Sequence, residues 1–306
     1  MEITSPKLLL IGGTGFIGSH ILEQAISKGF HVTNLSKSRS VLESGIESYS
    51  VDIADKKNLC RILKNKNFDY VINAGGYINH NTCLSSGQEI LNTHFQGLTN
   101  LIECISTSKI KTFIQLGSSD EYGDNDAPQK EIFRERPFSL YSLSKTLSTF
   151  YLQNLFNSFS FPVVILRPFL VYGPSQNLDR FLPQIINSCL KNEEFEVSPG
   201  DQIRDFCYID DFVNAVFMSL ENQKAYGKII NVASGSPVSI KQIITQVVKI
   251  VGSGCAKFGA LNYRKGENME LYADISKANK ILNWSPKVSL EEGLSKTVEW
   301  YKERDD

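Results

Sequence analysis

The feature that most constrains the fold of this chain is a run of glycines that follows an apolar segment. Residues 7–11 read Lys-Leu-Leu-Leu-Ile, and Gly12, Gly15 and Gly18 follow at intervals of three as a helical pattern begins at Phe16. Glycine permits a tight turn and the close approach of backbone to a pyrophosphate, and the start of the next helix supplies free N–H groups and partial positive charge. In this strand–loop–helix context, the spacing predicts a dinucleotide-binding loop.

Short apolar segments alternate with helical patterns through the first half of the chain. This alternation predicts right-handed strand–helix–strand crossovers and a parallel sheet with helices on both faces. Beyond Pro168 the rhythm changes and the elements become shorter. We expect an α/β fold, in which a Rossmann-type doubly wound parallel sheet is joined to a smaller, discontinuous α/β substrate-binding domain. The predicted domain boundaries are 1–173 and 206–233 for the dinucleotide-binding domain, and 174–205 and 234–306 for the second.

Composition excludes several other classes of protein. The 306 residues are 42% hydrophobic, which is enough for a large core. The 32 basic and 33 acidic side chains give a formal charge of −1, so no overall positive field attracts nucleic acid or anionic membranes. Apolar runs reach four residues, whereas a membrane-spanning helix needs about 20, and no secretory signal is visible. We expect a cytoplasmic protein without nucleic-acid or membrane partners.

Six cysteines and four histidines are scattered along the chain. No Cys-x-x-Cys, His-x-x-His or His-Glu-x-x-His arrangement occurs. We therefore expect reduced thiols and no metal site. For His80 and His94 we expect polar or packing roles rather than catalysis.

The end of the second predicted strand bears on the choice of cofactor. An acidic residue there would accept hydrogen bonds from an adenosine ribose 2′-hydroxyl. The chain instead has Ser36, followed by Lys37 and Arg39. A hydroxyl and two cations suit a 2′-phosphate, and the alternative is that both cations are solvated loop charges. NADP(H) is the expected cofactor, and NAD(H) is the alternative.

Two residues in the middle of the chain have the spacing of an acid–base pair. Tyr141 and Lys145 lie four residues apart in a predicted helix and therefore share one face of it. A neighbouring ammonium stabilises a phenolate and brings tyrosine toward the range useful for proton transfer. Ser118 follows an earlier strand, at the edge where a doubly wound sheet binds its ligands. These three residues are the candidate catalytic set.

Further short motifs accompany these residues in a consistent order. They are Val51-Asp52-Ile53, Asn73-Ala74-Gly75-Gly76, Gly117-Ser118-Ser119, Leu166-Arg167-Pro168 with Tyr172-Gly173-Pro174, and Arg204-Asp205-Phe206 with Tyr208-Ile209-Asp210-Asp211. Together with the glycine loop and the Tyr141–Lys145 pair, they span almost the whole chain. The sequence resembles the extended short-chain dehydrogenases/reductases, in the group of sugar-nucleotide epimerases, dehydratases and reductases.

The resemblance implies a Rossmann fold and a role for each motif. Ser118, Tyr141 and Lys145 would be catalytic, and Asp52 would lie near the adenine. The expected cofactor-binding residues are Gly12, Thr14, Gly15, Phe16, Ile17, Gly18, Ser36, Lys37, Arg39, Asp52, Ile53, Ala74, Gly75, Gly76, Tyr141, Lys145, Arg167 and Phe169. The expected substrate-binding residues are Ser118, Ser119, Asp120, Arg180, Phe195, Arg204, Arg264 and Glu267.

Some of these assignments have alternatives. Arg204 is expected to meet the diphosphate of the substrate. Arg264 is expected either to pair with the same diphosphate or to form a surface ion pair with Glu267. Phe195 is expected to lie in a strand against the nucleotide base or to be part of the core. The resemblance also implies a homodimer through helices 89–106 and 140–156.

Comparison with the known reactions of the family favours ketoreduction. Related 4,6-dehydratases carry Thr-Asp-Glu or Thr-Ser-Glu where this chain has Ser118-Ser119-Asp120, although Glu121 stands next to them. Many 4-epimerases have Asn where this chain has Leu170. The carboxyl-terminal half, especially 201–206 and 258–264, looks similar to 4-ketoreductases of the CDP-abequose synthase type.

The expected function follows from this likeness. NADPH would reduce the C4 ketone of a CDP-, dTDP- or GDP-linked 4-keto-6-deoxyhexose, with Tyr141 as the proton donor. A nucleotide-sugar 4-epimerase is the alternative, and a 4,6-dehydratase is less expected. A non-catalytic dinucleotide-binding regulator or scaffold is the alternative from a different class.

Overall fold

The computed structural model describes residues 5–38, 46–77, 84–264 and 266–305, apart from the side chains of residues 84–86 and 305. Over these residues the chain alternates strands and helices up to residue 168 and then forms shorter elements. The strands, in chain order, are β1 (Lys7–Ile11), β2 (His31–Ser36), β3 (Glu47–Ser50), β4 (Tyr70–Asn73), β5 (Thr112–Leu116), β6 (Val163–Pro168), β7 (Leu170–Tyr172), β8 (Glu194–Val197), β9 (Ile203–Arg204), β10 (Phe206–Tyr208), β11 (Ile229–Val232), β12 (Val238–Ser239), β13 (Cys255–Phe258) and β14 (Glu270–Leu271).

The helices cover both faces of the main sheet and build the rest of the chain. They are α1 (Phe16–Ser27), α2 (Lys56–Leu63), α3 (Leu84–Leu91), α4 (Gly97–Cys104), α5 (Leu140–Phe159), α6 (Phe181–Leu190), α7 (Ile209–Leu220), α8 (Ile240–Val251), α9 (Ser276–Leu282) and α10 (Leu290–Asp305). A π-helical turn at Asn92–Gln96 joins α3 to α4, and a 3-10 turn follows β5 at Ser119–Tyr122. The helix predicted over 89–106 therefore begins earlier and contains a π turn.

Seven parallel strands form the main sheet in the order β11-β6-β5-β4-β1-β2-β3. The strand order reverses between β1 and β4, and such a switch point opens a crevice at the carboxyl ends of the strands. The predicted α/β fold with a doubly wound parallel sheet is confirmed. Both the glycine loop after β1 and Ser118 after β5 leave the sheet at this edge.

The two faces of the sheet bury alternate residues of each strand, because successive side chains of a strand point to opposite faces. In β1, Leu8 and Leu10 join one apolar cluster with α1, α7 and α8, whereas Leu9 and Ile11 join the other with α2, α4 and α5. Burial on both faces explains why these strands read as continuous apolar segments rather than as alternating ones.

Three small sheets lie outside the main sheet. They pair β7 with β10, β8 with β13, and β9 with β12 and β14. Their strands come from 170–208 and 238–271, so the chain enters this region, returns to the main sheet at β11 and leaves it again. Among the described helices, none combines the length and the apolar character needed to cross a bilayer.

One expectation about the cysteines is wrong. Cys60 of α2 and Cys104 of α4 form a disulfide, with their Cα atoms 4.7 Å apart. The two helices pack side by side on one face of the sheet, which brings together residues separated by 44 positions in sequence. The spacing of these two cysteines in the sequence does not indicate that they pair. Cys189 and Cys207 are buried thiols and Cys255 is an exposed one, while Cys83 lies outside the described residues.

Candidate active site

The glycine loop is shaped by close backbone contacts that leave no room for side chains. Gly12 has φ +84°, and a Cβ there would lie 2.8 Å from the Cα of Gly75 in the loop after β4. A Cβ on Gly18 would lie 2.0 Å from the carbonyl oxygen of Gly12. Helix α1 thus packs directly on the loop that precedes it, and only glycine fits at these two positions.

Gly15 is different, because nothing in the described part of the chain requires glycine there. Its φ of −84° suits any residue, and a Cβ would meet only the Gly12 carbonyl oxygen, at 3.4 Å. Gly15 is also the N-cap of α1 and provides no side-chain cap, and the first turn of α1 contains no acidic residue. Space at Gly15 and an uncapped helix start fit the pyrophosphate of a dinucleotide.

Asn34 in β2 ties this loop to the sheet, and sequence reasoning missed it. Its Oδ1 accepts a hydrogen bond from the Gly13 backbone N–H at 3.0 Å, and its Nδ2 donates to Ser36 at 3.2 Å and Ser48 at 3.1 Å. Asn34 is fully buried. The sequence held only a weak signal, since Asn34 stands among other polar residues of β2, such as Thr33 and Ser36.

Of the three residues predicted to bind a 2′-phosphate at the end of β2, the structure describes Ser36 and Lys37. Lys37 Nζ lies 3.2 Å from Asp52 Oδ2 and 3.8 Å from Glu89 Oε1. These carboxylates raise the pKa of Lys37 and offset its charge. Ser36 is buried against Asn34, and Arg39 lies outside the described residues.

Four other predicted cofactor residues have contacts that differ from one another. Thr14 shares a hydrogen bond with the Ser38 hydroxyl, and Ile53 is buried against Gly97. Phe169, in contrast, is buried against the Tyr122 ring, with 6.3 Å between ring centres. Arg167 is fully buried in an ion-pair network, so its guanidinium is enclosed by protein and does not face a cofactor.

The structure brings the three predicted catalytic residues together. Tyr141 and Lys145 are both buried on one face of α5, and Lys145 Nζ lies 5.9 Å from the centre of the Tyr141 ring. Lys145 donates a hydrogen bond to the Leu116 carbonyl oxygen of β5, at 2.9 Å. The Ser118 hydroxyl is hydrogen-bonded to Tyr141 and accepts from the Asp120 backbone N–H. A proton-transfer group, a cation and a hydroxyl therefore meet at one point.

Burial changes the acid–base properties of this pair. It raises the pKa of Tyr141, and the charge of Asp120 adds to that effect, while the hydrogen bond from Ser118 and the charge of Arg180 oppose it. Burial lowers the pKa of Lys145 to about 8, and the charge of Glu121 opposes this. In the ligand-free protein Tyr141 keeps its proton at neutral pH, and Lys145 titrates close to physiological pH.

His94 supports Tyr141 from the π turn. The two rings meet edge to face with 5.2 Å between their centres, and His94 Nε2 lies 2.9 Å from the Tyr77 carbonyl oxygen. Burial, together with the charge of Lys145, lowers the pKa of His94 to about 3, so it is a neutral packing group. A Cβ on Gly76, whose φ is +119°, would collide with this imidazole.

A buried ion-pair network lies directly behind Ser118. Glu121 Oε1 accepts a hydrogen bond from the Ser118 backbone N–H at 2.8 Å, and its Oε2 accepts from Arg167 Nη2 and from the Thr149 hydroxyl, each at 2.7 Å. Arg167 Nη2 also donates to Glu135 Oε1 at 2.6 Å. Both Arg167 and Glu121 are 0% exposed, so the pair is shielded from bulk solvent.

The predicted diphosphate-binding arginine is held by an acid in this structure. Arg204 Nη2 lies 2.5 Å from Glu267 Oε1, and both side chains are largely buried. Burial lowers the pKa of Arg204, and the charges of Glu267 and Asp120 oppose this. Arg180 precedes α6, is partly exposed, and is close enough to Tyr141 to lower its pKa.

The other predicted substrate residues differ in exposure and in their contacts. Arg264 is exposed, and the partner of Glu267 is Arg204 rather than Arg264. Phe195 is half-buried in β8 and packs on the core. Ser119 is buried within the 3-10 turn. His80 lies outside the described residues.

No cluster of three or more histidine, cysteine, aspartate or glutamate side chains suited to a metal ion occurs within the described ranges. A depression of about 920 Å³ opens at the opposite edge of the sheet, between Tyr70, Lys111, Phe159 and Glu221. None of the predicted site residues lines it.

Comparison with known proteins agrees with this geometry. The model of the NAD dependent epimerase/dehydratase family matches residues 8–233. The chain belongs to this family. It is therefore an enzyme of a nucleotide-sugar-processing family with a Rossmann fold and NAD dependence.

Similar proteins match over almost the whole chain. UDP-glucuronate 4-epimerase of Thermodesulfobacterium geofontis is 29% identical, with 96% of each protein covered. The structure of UDP-glucose 4-epimerase from Thermotoga maritima with UDP-glucose has a TM-score of 0.90 and 27% identity, covering 98% of this chain and 100% of that one. The structure of UDP-glucuronic acid 4-epimerase from Bacillus cereus with UDP-glucuronic acid and NAD has a TM-score of 0.88 and 29% identity, covering 97% and 99%.

These comparisons sharpen two expectations from the sequence. They support the alternative of 4-epimerisation better than ketoreduction. They also support NAD rather than a preference for NADP.

Proposed function

We propose that this protein is an NAD-dependent 4-epimerase of a nucleotide-linked hexose. The observation that carries the proposal is the meeting of Ser118, Tyr141 and Lys145 at the same sheet edge as the glycine loop. Relatives named as 4-epimerases, which align along nearly the whole chain, support it. Ketoreduction of a 4-keto-6-deoxy sugar lacks this second line of support.

The chain's residues supply the proton chemistry of such a reaction. NAD, when bound, supplies a hydride acceptor that returns the hydride in the second half of the reaction. Tyr141 takes the proton of the sugar C4 hydroxyl and later gives it back, while Ser118 holds the C4 oxygen. Because burial favours the neutral phenol, positive charge must stabilise the phenolate, and Lys145 is a cation placed to do so. The overall result would be inversion at C4 without net oxidation.

The surroundings of Lys37 favour NAD over NADP. A 2′-phosphate would have to compete with the carboxylates of Asp52 and Glu89 for the Lys37 ammonium. NAD carries a ribose hydroxyl there and requires no free cation. An epimerase also regains its oxidised cofactor in each cycle and has no need of the reducing NADPH pool.

The nucleotide-sugar diphosphate is proposed to bind at Arg204, where it replaces Glu267 as the partner of the guanidinium. A uridine nucleotide is proposed because the similar epimerases from Thermotoga maritima and Bacillus cereus were solved with UDP-sugars. The division into a dinucleotide-binding domain and a second, substrate-binding domain at the predicted boundaries is part of the same proposal.

The proposal includes a homodimer through α3–α4 and α5. Phe150 of α5 is 49% exposed, which is unusual for an aromatic side chain in the middle of a long helix. Nearby, Phe95 and Tyr151 stack edge to face with 6.1 Å between their ring centres. A second copy of the same helices would cover this apolar surface.

The test is incubation of the purified protein with UDP-glucose, UDP-glucuronic acid and UDP-N-acetylglucosamine, with products identified by proton NMR at C4. We expect inversion at C4 of one of these sugars and no net change in absorbance at 340 nm. Consumption of NADPH with a nucleotide-linked 4-keto-6-deoxyhexose would show a reductase instead. Accumulation of a 4-keto-6-deoxy product from a nucleotide-linked glucose would show a dehydratase.

A further inference from the structure

Glu121 is a fully buried carboxylate that the proposed chemistry does not use directly. It joins three parts of the fold, of which the 3-10 turn and α5 carry the proposed catalytic residues. Its Oε1 accepts from the Ser118 backbone N–H, and its Oε2 accepts from the Thr149 hydroxyl on α5 and from Arg167 at the end of β6. The bond to Ser118 closes a capping box on the 3-10 turn, so the same carboxylate holds the backbone that carries the proposed catalytic serine and contacts the helix that carries Tyr141 and Lys145.

The helical spacing places this carboxylate beside the catalytic cation. Tyr141, Lys145 and Thr149 follow at intervals of four along α5 and therefore share one face. Glu121 bonds to the last of these three, and its charge acts on the one before it. This face of α5 therefore carries, in order, the proposed proton carrier Tyr141, the cation Lys145 and Thr149, which donates a hydrogen bond to Glu121.

The groups that face Lys145 leave Glu121 as its source of negative charge among the described residues. From β5, the Leu116 carbonyl oxygen accepts a hydrogen bond from Lys145 Nζ. From the π turn, His94 is neutral, and on α5 itself the phenol of Tyr141 keeps its proton. Glu121 in the 3-10 turn is the group whose charge opposes the loss of the Lys145 proton on burial.

We propose that Glu121 is a positioning residue of this active site: it fixes Ser118 through its backbone amide and supplies the negative charge that keeps Lys145 protonated. Arg167 and Thr149 hold the carboxylate in place. The inference rests on the proposed function for its catalytic consequence, but the protonation state of Lys145 is a property of the ligand-free protein.

The chain offers a matched control in Glu135. Glu121 and Glu135 each bond to Arg167 Nη2, at 2.7 and 2.6 Å. Glu135 has no bond to Ser118, and it is not among the groups that act on Lys145. Glu121→Gln and Glu135→Gln therefore remove the same kind of ion pair from the same arginine, and only the first removes the charge that faces Lys145.

The experiment is a titration of Lys145 in the ligand-free protein by NMR, with ¹³C at lysine Cε and the resonance assigned by its loss in Lys145→Met. The wild-type midpoint is expected near 8. In Glu121→Gln it should fall by about one pH unit, because a nearby buried carboxylate favours the charged form of an amine by about that much or more. In Glu135→Gln it should stay at the wild-type value. An unchanged midpoint in Glu121→Gln, or an equal fall in both variants, overturns the inference.

A further variant keeps the test decisive if Glu121→Gln fails to fold. The triple variant Glu121→Gln, Glu135→Gln, Arg167→Met removes the buried cation together with both of its carboxylate partners, so no uncompensated charge remains in the network. The midpoint should again fall, and a midpoint at the wild-type value overturns the inference.

Kinetics separates the inference from the proposed function. If the protein is an epimerase, loss of Glu121 moves the alkaline limb of kcat to lower pH, because activity is lost as Lys145 gives up its proton, and KM for the nucleotide sugar is unchanged. If no epimerisation is found with any sugar, the proposed function fails while the titration still decides the role of Glu121.

Discussion

The glycine loop and the catalytic pocket share one edge of the sheet, yet they are held by opposite means. The loop is shaped by backbone contacts at Gly12 and Gly18 and by one neutral amide, Asn34. The pocket is held by buried ions, with Glu121 and Arg167 both fully enclosed. A loop that receives a polyanion at its amides needs shape and no countercharge, whereas a proton-transfer site depends on charges that water does not screen. The loop should therefore be sensitive to added volume and the pocket to altered charge.

The largest effect is expected at the proton carrier. Tyr141→Phe should lower kcat by about 10³-fold, because it removes the group that moves the C4 proton, while binding of NAD and of the nucleotide sugar is retained. The measurement is steady-state epimerisation combined with calorimetric titration of both ligands. Tyr151→Phe, on the same helix but packed on Phe95, is the control and should keep the wild-type rate. A Tyr141→Phe variant with normal kcat would assign the proton transfer to another group.

The next comparison lies within the loop. Gly18→Ala should lower the free energy of unfolding by about 1–3 kcal/mol, because its Cβ would overlap the Gly12 carbonyl oxygen. Gly15→Ala should leave stability unchanged and weaken NAD binding by about tenfold, or about 1.4 kcal/mol, because its Cβ occupies space that the chain itself leaves open. Chemical denaturation and calorimetry distinguish the two. Equal loss of stability in both variants would show that Gly15 serves the fold and is not kept for a ligand.

A smaller effect is expected at the diphosphate site. Arg204→Gln should raise KM for the nucleotide sugar by about tenfold, because it removes a charged hydrogen-bond donor. Glu267→Gln should lower KM by a few-fold, since the carboxylate that competes for Arg204 is gone. Initial rates over a range of substrate concentrations measure both. If Glu267→Gln raises KM instead, Glu267 contacts the substrate directly, as the resemblance first implied.

The smallest effect is expected at Lys37. Its side chain is 66% exposed and already pairs with Asp52 and Glu89, and such surface ion pairs contribute about 0–1 kcal/mol. Lys37→Met should therefore change the affinity for NAD by about twofold or less. Fluorescence titration with NADH and with NADPH tests this. A selective loss of NADPH binding in the variant would restore the original expectation of a 2′-phosphate site.

Local patterns made much of this architecture predictable from the sequence. The glycine spacing and the four-residue interval between Tyr141 and Lys145 each report on a single turn or helix, so they can be recognised without the fold. The parallel sheet follows from the alternation of elements, and its strand order places Ser118 beside α5 as expected. The sequence did not reveal which residues far apart along the chain contact each other in the fold.

Three such partners changed the interpretation. Asp52 lies beside Lys37 because β2 and β3 pair in parallel. Its carboxylate offsets the charge of a lysine that the sequence analysis assigned to a phosphate. Arg167 reads as an arginine at the end of a buried strand, and only the fold directs it to Glu121, 46 residues away. The link between Cys60 and Cys104 likewise depends on the packing of α2 against α4.

The π turn at Asn92–Gln96 has a consequence for how this chain tolerates insertions and deletions. A π turn holds one more residue than an α-helical turn, and one residue corresponds to about 100° of rotation about the helix axis. Because the wider π turn takes up this extra residue locally, deleting one residue there would yield a continuous α-helix with α3 and α4 close to their present rotational phase. The change would fall within the turn itself, where His94 lies against the ring of Tyr141. A one-residue deletion would therefore leave both halves of the helix in place while displacing a neighbour of the proton carrier.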